Sequence, residues 1–309
     1  MTTCTHPHVL VTGASSGIGR ATALHLAASG HHVYSGVRKP ADGDALQHAV
    51  RHAAAAGEIT PLLIDVTNPA QITAAAHDVT EHVGPAGLAG LVNNAGIGVF
   101  GPLELTDLDN FRRLLEINVT GQLAVTQAFL PLLRRAQGRI VMVGSIGERF
   151  TPPFVGPLAA SKSTLATMAE ALRQELAPWN IRVVLIEPGS IRTEAVDKLD
   201  RDAEQLMSQA TAAGRALYQD AFRRFVAAFA ALHSRGSQAE VVAKAIAHAL
   251  TAPRPRARYL TGKNSHRMAF MAAVLPIPAQ DALRRKLTRQ PAPGSRAAGR
   301  PQPAGSPAG

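Results

Sequence analysis

A glycine-rich segment near the N-terminus limits the fold more than any other part of the chain. The apolar run Val9-Leu10-Val11 leads directly into T-G-A-S-S-G-I-G at residues 12–19, and a helical pattern continues from there to Ala28. Glycines in such a turn let main-chain N–H groups approach a bound group closely, and the N-terminus of the following helix favours negative charge. The segment therefore predicts a strand, a phosphate-binding turn and a helix.

Apolar runs then recur along the chain as they do in a parallel sheet. Gly30 ends the first helical pattern, and further strands are predicted at 32–37, 61–66, 90–94, 139–143 and 181–186. Alanine-rich helical stretches lie between them, notably at 107–135 and 159–177. Strands that are apolar on both faces and alternate with helices are typical of a doubly wound α/β sheet. We expect a single Rossmann domain over residues 8–265.

Three segments fall outside this alternation. Residues 194–235 are apolar, charged and helix-prone, and we expect them to form a cap over the substrate side, with a decorative helical pair as the simpler alternative. Residues 290–309 are mostly Pro, Gly, Ala, Ser and Arg, which predicts a disordered tail. Residues 1–7 are predicted to be flexible, so Cys4, His6 and His8 are not expected to form a metal site.

The net charge of +10 belongs to the C-terminal part of the chain. Residues 251–309 carry eleven Arg and Lys side chains and one acid, Asp281, which leaves residues 1–250 neutral. The arginine-rich end lacks the aromatic residues and modules of nucleic-acid-binding proteins, so no nucleic-acid partner is expected. The amphipathic, basic segment 266–289 is different. Its residues 267–289 suit a peripheral contact with an anionic membrane, or docking against the sheet edge or a second subunit.

Cysteine usage and hydropathy indicate a cytoplasmic protein. Cys4 is the only cysteine, which excludes an intrachain disulfide and fits a reducing compartment. The first residues are polar and do not resemble a secretory signal, and no run of 18 apolar residues occurs.

Taken in order, the motifs resemble those of the short-chain dehydrogenase/reductase family. The turn at 12–19 is followed by Asn93-Asn94-Ala95-Gly96, Asn118, Ser145, Lys162, and Pro188-Gly189 with Thr193. The match extends over residues 8–193 in order and spacing, and the layout is most similar to the steroid- and retinol-dehydrogenase branch. The resemblance implies a nicotinamide cofactor, a hydrophobic substrate and a homo-oligomer, either dimer or tetramer.

By this resemblance the cofactor is bound along the carboxyl ends of the strands. Asp65 and Val66 would flank the adenine, and Lys162 would hold the nicotinamide ribose. The remaining expected contacts come from the turn, the strand-four end and the lip after strand six: Gly13, Ser15, Ser16, Gly17, Ile18, Gly19, Asn93, Ala95, Gly96, Pro188, Gly189 and Thr193. Val37 stands where NAD-type members carry Asp, and Arg38 follows it. A basic residue pairs with a 2′-phosphate, so NADP(H) is favoured over NAD(H).

The catalytic set implied by the resemblance has one gap. Asn118, Ser145 and Lys162 match the family's Asn, Ser and Lys, but Leu158 occupies the position of its catalytic Tyr. The Tyr phenol transfers the proton that accompanies hydride transfer, and a leucine side chain has no proton to give. Of the remaining tyrosines, Tyr34 lies in a strand and Tyr218 in the predicted cap; Ser145 relaying a proton from water is chemically simpler.

Two functions remain open from the sequence. The first is an oxidoreductase that interconverts a hydrophobic alcohol and a ketone or aldehyde, with impaired or rerouted proton transfer. The second is a catalytically silent NADP(H)-binding protein that works as a sensor, partner subunit or scaffold. Apolar residues also lie on both sides of position 158: Phe150, Phe154, Val155, Leu217, Phe222, Phe225, Val226 and Phe229. Such a stripe is more often core than ligand wall, and a part of it that lined the site would favour a hydrophobic substrate.

Overall fold

The computed structural model describes residues 7–194 and 198–295. Its centre is a sheet of seven strands in the order β3-β2-β1-β4-β5-β6-β7, in which all neighbouring strands are parallel. The strands are β1 His8–Val11, β2 His32–Val37, β3 Glu58–Leu63, β4 Gly90–Asn93, β5 Arg139–Val143, β6 Arg182–Pro188 and β7 Arg258–Thr261. The predicted doubly wound α/β fold is confirmed.

Helices connect the strands and cover both faces of the sheet. They are α1 Gly17–Ala28, α2 Pro40–His52, α3 Pro69–Val83, α4 Leu108–Leu115, α5 Gly121–Ala136, α6 Gly156–Glu175, α7 Leu199–Gln209, α8 Ala212–Ser234, α9 Ala239–Thr251, α10 Ser265–Val274 and α11 Ile277–Leu287. A π-helical turn, Glu116–Thr120, separates α4 from α5. The predicted helix 107–135 is therefore two helices joined by a widened turn, and this turn contains Asn118.

Two apolar clusters, one on each face of the sheet, form the core. One contains Leu10, Phe129 and Leu165 with helices α3, α5 and α6, and the other contains Val11, Leu26 and Ile246 with α1, α2 and α9. Adjacent residues of a strand point to opposite faces, so Leu10 and Val11 belong to different clusters. This two-sided burial explains why most strands are continuous apolar runs in the sequence.

Two strands differ from the sequence prediction. The third strand spans Glu58–Leu63 and ends before Ile64, three residues earlier than the predicted range 61–66. The seventh, Arg258–Thr261, was missed, because it lies at the edge of the sheet and three of its four residues are only half-buried. An edge strand of four residues with Arg and Thr lacks the apolar run that marked the other strands.

The predicted insertion is helical, as expected, and packs against the start of α6. Helices α7 and α8 pack Leu199, Met207 and Phe225 against Val155 and Ala159. Phe222 and Phe225 stack with ring centroids 5.9 Å apart. Residues 195–197, within the insertion, lie outside the described residues.

The C-terminal helices expose an apolar surface. Phe270 and Val274 on α10 and Ile277 on α11 are 66%, 55% and 71% exposed. The exposed cations Arg267, Lys286 and Arg289 lie on the same segment. Among residues 7–194 and 198–295, no helix is both long and apolar enough to cross a membrane. The expected disorder of 1–7 and 290–309 falls mostly on residues 1–6 and 296–309, which lie outside the described residues.

Candidate active site

The glycine-rich turn between β1 and α1 is packed too tightly for side chains. Gly13 has a φ of 63°, and a Cβ there would lie 2.8 Å from the Cα of Ala95. A Cβ on Gly19 would lie 2.1 Å from the carbonyl oxygen of Gly13. The turn therefore requires glycine at positions 13 and 19, where only main chain can face a bound group, while Ser15 and Ser16 between them are exposed.

The N-terminus of α1 is free to receive an anion. Ser16 is its N-cap residue in extended conformation, and no side chain caps the helix. The first turn contains no acidic residue. Main-chain N–H groups at an uncapped helix N-terminus, beside a tightly packed glycine-rich turn, suit the pyrophosphate of a dinucleotide. The residues present therefore fit this cofactor group.

A pair of polar side chains fastens β4 to this turn. Thr12 Oγ1 accepts hydrogen bonds from the main-chain N–H groups of Asn94 and Ala95, each at 3.0 Å. In return, Asn94 Nδ2 donates to the carbonyl oxygens of Thr12 and Gly13, at 2.9 and 3.1 Å. The sequence motifs at 12–19 and 93–96 include both residues, but they did not indicate this exchange of hydrogen bonds between them.

The neighbouring asparagine has a different role. Asn93 is buried, and its Nδ2 donates to Thr126 Oγ1 at 2.8 Å inside the protein. The Asn93 side chain is therefore directed into the protein, while the other expected contacts at this strand end, Ala95 and Gly96, follow in the loop.

Asp65, which follows β3, is surrounded by hydrogen-bond donors and by positively charged side chains. Asp65 Oδ1 accepts hydrogen bonds from the N–H and hydroxyl of Thr67, at 2.9 and 2.7 Å. Burial opposes ionisation, but these bonds and the charges of Arg38 and Arg113 hold the pKa of Asp65 below its usual value. Arg38 itself is exposed directly after buried Val37. A guanidinium at this strand end can pair with a phosphate on the adenosine ribose.

The lip after β6 closes over the turn. Gly189 N donates to the carbonyl oxygen of Thr261 at 2.8 Å, which ties the lip to β7. A Cβ on Gly17 would lie 3.5 Å from Thr193 Cγ2, so Thr193 lies directly over the phosphate turn. The structure thus brings the predicted lip residues Pro188, Gly189 and Thr193 to the same end of the sheet as the turn.

Asn118 braces the loop after β4 against α6. Its Oδ1 accepts from the main-chain N–H of Ile97 at 2.8 Å, and its Nδ2 donates to the carbonyl oxygen of Ile97 at 2.9 Å. Nδ2 also donates to Ser161 Oγ at 3.0 Å, and Ser161 donates to the carbonyl oxygen of Leu158 at 2.8 Å. Both amide N–H groups of Asn118 are engaged within the protein. The expected role in tethering a water stays a prediction.

Lys162 lies in the second turn of α6, and Ser145 lies two residues after the end of β5. Lys162 Nζ donates to the carbonyl oxygen of Val143 at 2.7 Å, and a Cβ on Gly96 would lie 3.7 Å from it. Burial lowers the pKa of Lys162 to about 8, although the charge of Glu148 opposes the shift. Ser145 Oγ accepts from Gly147 N at 3.1 Å and caps a short helix. The serine hydroxyl proton is still available for donation.

Leu158 belongs to the apolar cluster formed by α7, α8 and the start of α6. It is half-buried and packs against buried residues of this cluster, which include Val155 and Phe225, as do Phe100, Phe154 and Phe229. The tyrosines are engaged elsewhere: Tyr34 is buried in β2, Tyr218 donates to Glu104, and the Tyr259 hydroxyl accepts from Arg256 N. Among the described residues, no tyrosine hydroxyl therefore takes the place of a phenol at position 158.

A network of charged side chains links the segment after β5 to β6, β7 and α6, and the sequence did not predict it. Arg258 Nη1 lies 2.9 Å from Glu148 Oε1 and 3.2 Å from Glu187 Oε1, and Arg149 pairs with Glu187 at 2.5 Å. Glu170 pairs with Arg258 at 2.7 Å. Burial, followed by the charge of Glu187, raises the pKa of Glu148 to about 7. The members are far apart in sequence, so no local motif indicated them.

Sequence comparison assigns the family. Residues 7–204 match the sequence profile of the short chain dehydrogenase family. The chain therefore belongs to this family of oxidoreductases.

Individual relatives agree with this assignment. The chain is 33% identical to retinol dehydrogenase 5 of Homo sapiens over 284 residues, which cover 89% of this chain and 86% of that protein. It is 34% identical to 11-beta-hydroxysteroid dehydrogenase type 2 of Oryctolagus cuniculus, over 87% of this chain and 67% of that protein. A short-chain dehydrogenase from Streptomyces avermitilis has a similar structure, with a TM-score of 0.70 and 26% identity over 94% of this chain and 97% of that one.

Proposed function

We propose that this protein is an NADP(H)-dependent oxidoreductase that interconverts a hydrophobic alcohol and a ketone or aldehyde. The observation that carries the proposal is the convergence of Lys162, Asn118 and Gly96 beside a glycine cradle, directly next to the apolar cap cluster around Leu158. The similarity to retinol and hydroxysteroid dehydrogenases supports a substrate of this polarity.

The residues at the cofactor end would bind and orient NADP(H). Main-chain N–H groups from Gly13 to Gly19 would bind the pyrophosphate, Asp65 and Val66 would flank the adenine, and Lys162 would hold the nicotinamide ribose. Arg38 supports the choice of NADP(H), since it is exposed at the end of β2 where no carboxylate lies before Asp42. The bound cofactor would supply or accept the hydride.

On the substrate side, Ser145 would polarise the carbonyl oxygen with its hydroxyl proton. Leu158 would exclude water and contact the substrate, and it cannot deliver the proton. The proton would come from water through Ser145. Loss of a positioned general acid costs about 10²–10⁴-fold in rate, so slow turnover is expected.

Purified protein tests the proposal directly. We expect a panel of hydrophobic ketones and aldehydes to consume NADPH slowly, as followed by absorbance of the reduced cofactor. Ser145→Ala should abolish this consumption while NADPH affinity stays unchanged. Tight NADPH binding without turnover of any compound, in the wild type and in Ser145→Ala alike, would contradict the proposal and favour a silent binding protein.

A further inference from the structure

Lys162 is half-buried as a residue, and its ammonium group, which is buried, lacks the partner that its position would otherwise have. In a helix, residues 158 and 162 lie on the same face, so a phenol at 158 would be a neighbour of Lys162. Leu158 offers neither a phenolate charge nor a hydrogen-bond acceptor. Lys162 Nζ donates to the carbonyl oxygen of Val143 at 2.7 Å, but a carbonyl carries no net charge. A carboxylate other than a residue at 158 is needed to balance the charge of the ammonium group.

Glu148 lies against the same end of β5 that Lys162 contacts. The Lys162 ammonium contacts the carbonyl of Val143, and a Cβ on the next residue, Gly144, would lie 3.2 Å from Glu148 Oε2. The two charged groups therefore lie against adjacent residues of the same strand end. The Glu148 side chain is only 4% exposed, and Oε2 has no hydrogen-bond partner among the described residues.

Charged groups surround Glu148 on several elements. They are Arg149 after the short helix Ile146–Glu148, Glu187 on β6, Arg258 on β7, and Glu170 and Lys162 on α6. Arg149 pairs with Glu187, and the half-exposed Glu170 is balanced by Arg258 and Arg173. Buried Glu148 shares Arg258 with these carboxylates, and Lys162 is the buried cation whose ammonium form the charge of Glu148 favours.

We infer that Glu148 is the buried carboxylate that keeps Lys162 charged in the absence of a phenol at position 158. Glu148 acts through Lys162 and is a positioning residue. Its carboxylate favours the ammonium form, which is the form that donates to ribose hydroxyls and to Val143. The inference deepens the proposed function. Its cofactor-binding test rests on that function, whereas its amine-labelling test does not.

The ionisation of the pair has a defined direction with pH. Burial raises the pKa of Glu148 to about 7 and lowers the pKa of Lys162 to about 8. Both groups are therefore charged mainly in the interval between these values. Above it Lys162 loses its proton, and below it Glu148 gains one. Removing the Glu148 charge should make Lys162 lose its proton at a lower pH.

The first test measures the ionisation of Lys162 without any cofactor. Competitive labelling of amines with acetic anhydride across pH, read by peptide mass spectrometry, gives the midpoint for Lys162, with exposed Lys244 as internal standard. In Glu148→Gln we expect the midpoint to fall by about half to one pH unit. Glu148→Asp, which retains the charge, should keep the Lys162 midpoint close to its wild-type value.

Glu170→Gln is the matched control. Glu170 shares the partner Arg258 but is half-exposed, and it lies two helical turns beyond Lys162 on α6. The Glu170→Gln variant should therefore have a Lys162 midpoint within a few tenths of a pH unit of the wild-type value. Burial and direct hydrogen bonds shift a pKa by more than this. Coinciding midpoints for wild type and Glu148→Gln would overturn the inference, as would equal shifts in both variants. Melting temperatures confirm that each variant is folded.

The second test follows NADPH affinity against pH. Wild-type affinity should fall as pH rises through about 8, the pKa of Lys162. Glu148→Gln should bind about 3- to 10-fold more weakly at pH 8 and equally well at pH 6. An NADPH affinity profile that is identical in the two proteins would count against the inference. If the wild type does not bind NADPH, the proposed function fails and the amine labelling alone decides the role of Glu148.

Discussion

The proposed cofactor half and the proposed substrate half of this site are held together by different interactions. The cofactor half depends on directional hydrogen bonds and on the absence of Cβ atoms, as in the exchange between Thr12, Asn94 and Gly13. The substrate half is an apolar cluster in which Leu158 packs among phenylalanines.

The difference explains how one half can change while the other is kept. Hydrogen-bonded turns accept few residue types, whereas apolar packing accepts many side chains of suitable volume. A leucine at position 158 continues the apolar wall of the cap, so its presence need not disturb the cradle. The consequences of this residue are therefore expected in proton transfer and not in cofactor binding.

The largest expected effect comes from supplying the missing phenol. Leu158→Tyr should raise turnover of a hydrophobic ketone by about 10²–10⁴-fold, because a general acid again lies beside Lys162. Leu158→Phe adds the same ring without the hydroxyl and should give no gain. Steady-state NADPH consumption measures both. Equal rates in the two variants would mean that packing, and not the proton, limits turnover.

The next effect tests the claim that the cradle requires its glycines. Gly13→Ala should weaken NADPH binding by about 100-fold or more, since its Cβ would meet Ala95 at 2.8 Å, and a change of this size in affinity corresponds to about 3 kcal/mol. Gly84→Ala is a matched control, because Gly84 also has positive φ but no atom lies within 4 Å of its Cβ position. Calorimetric titration separates them; if both variants bind NADPH like wild type, the turn is not the binding site.

A smaller effect tests the choice of cofactor at the end of β2. Arg38→Ala should weaken NADPH binding by about 10- to 100-fold and change NADH binding by less than about 2-fold, because only NADPH carries the phosphate. Arg51→Ala, a change at the far end of α2, should affect neither cofactor. A parallel loss of NADPH and NADH affinity in Arg38→Ala would argue against a phosphate contact.

The smallest effect concerns the surface away from both halves. Contact of residues 267–289 with an anionic membrane, one of the alternatives that the sequence leaves open, is consistent with exposed Phe270 and Ile277 on the same segment as Arg267 and Lys286. The double variant Phe270→Ser, Ile277→Ser should sediment several-fold less with phosphatidylglycerol-containing vesicles than wild type, since apolar burial and charge both support such binding.

Two further observations decide between the alternatives for this surface. Leu108→Ser, at an exposed leucine on α4, should sediment with the vesicles like wild type. If the wild type ignores vesicles and the double variant instead loses a dimer in solution, the surface pairs subunits.

Much of the fold and of the cofactor half could be predicted from the sequence, and the parts that could not have physical reasons. The doubly wound fold and the family were predicted correctly, because two-sided burial produces apolar runs and hydrogen-bonded turns demand glycine and asparagine at set spacings. The structure brings most of the predicted cofactor residues to one end of the sheet, and their roles stay predictions.

The parts that escaped the sequence depend on contacts between distant segments. Glu148, Glu187 and Arg258 come from three separate elements, and each alone is an ordinary charged residue. The edge strand β7 has no apolar run, and the widened turn at Asn118 leaves the helical pattern unbroken. The use of Asn93 for core packing and of Asn94 for the turn depends on side-chain direction, which the doubled motif does not specify.

Transfer of a labelled hydride tests the central claim most directly. The claim is that the cofactor half works and that only proton delivery is impaired. With NADPH deuterated at the transferring position and a hydrophobic ketone, we predict that the wild-type protein slowly forms alcohol carrying deuterium, and that Ser145→Ala does not. Deuterated alcohol from Leu158→Tyr but none from the wild type, even after prolonged incubation with saturating NADPH, would contradict the account.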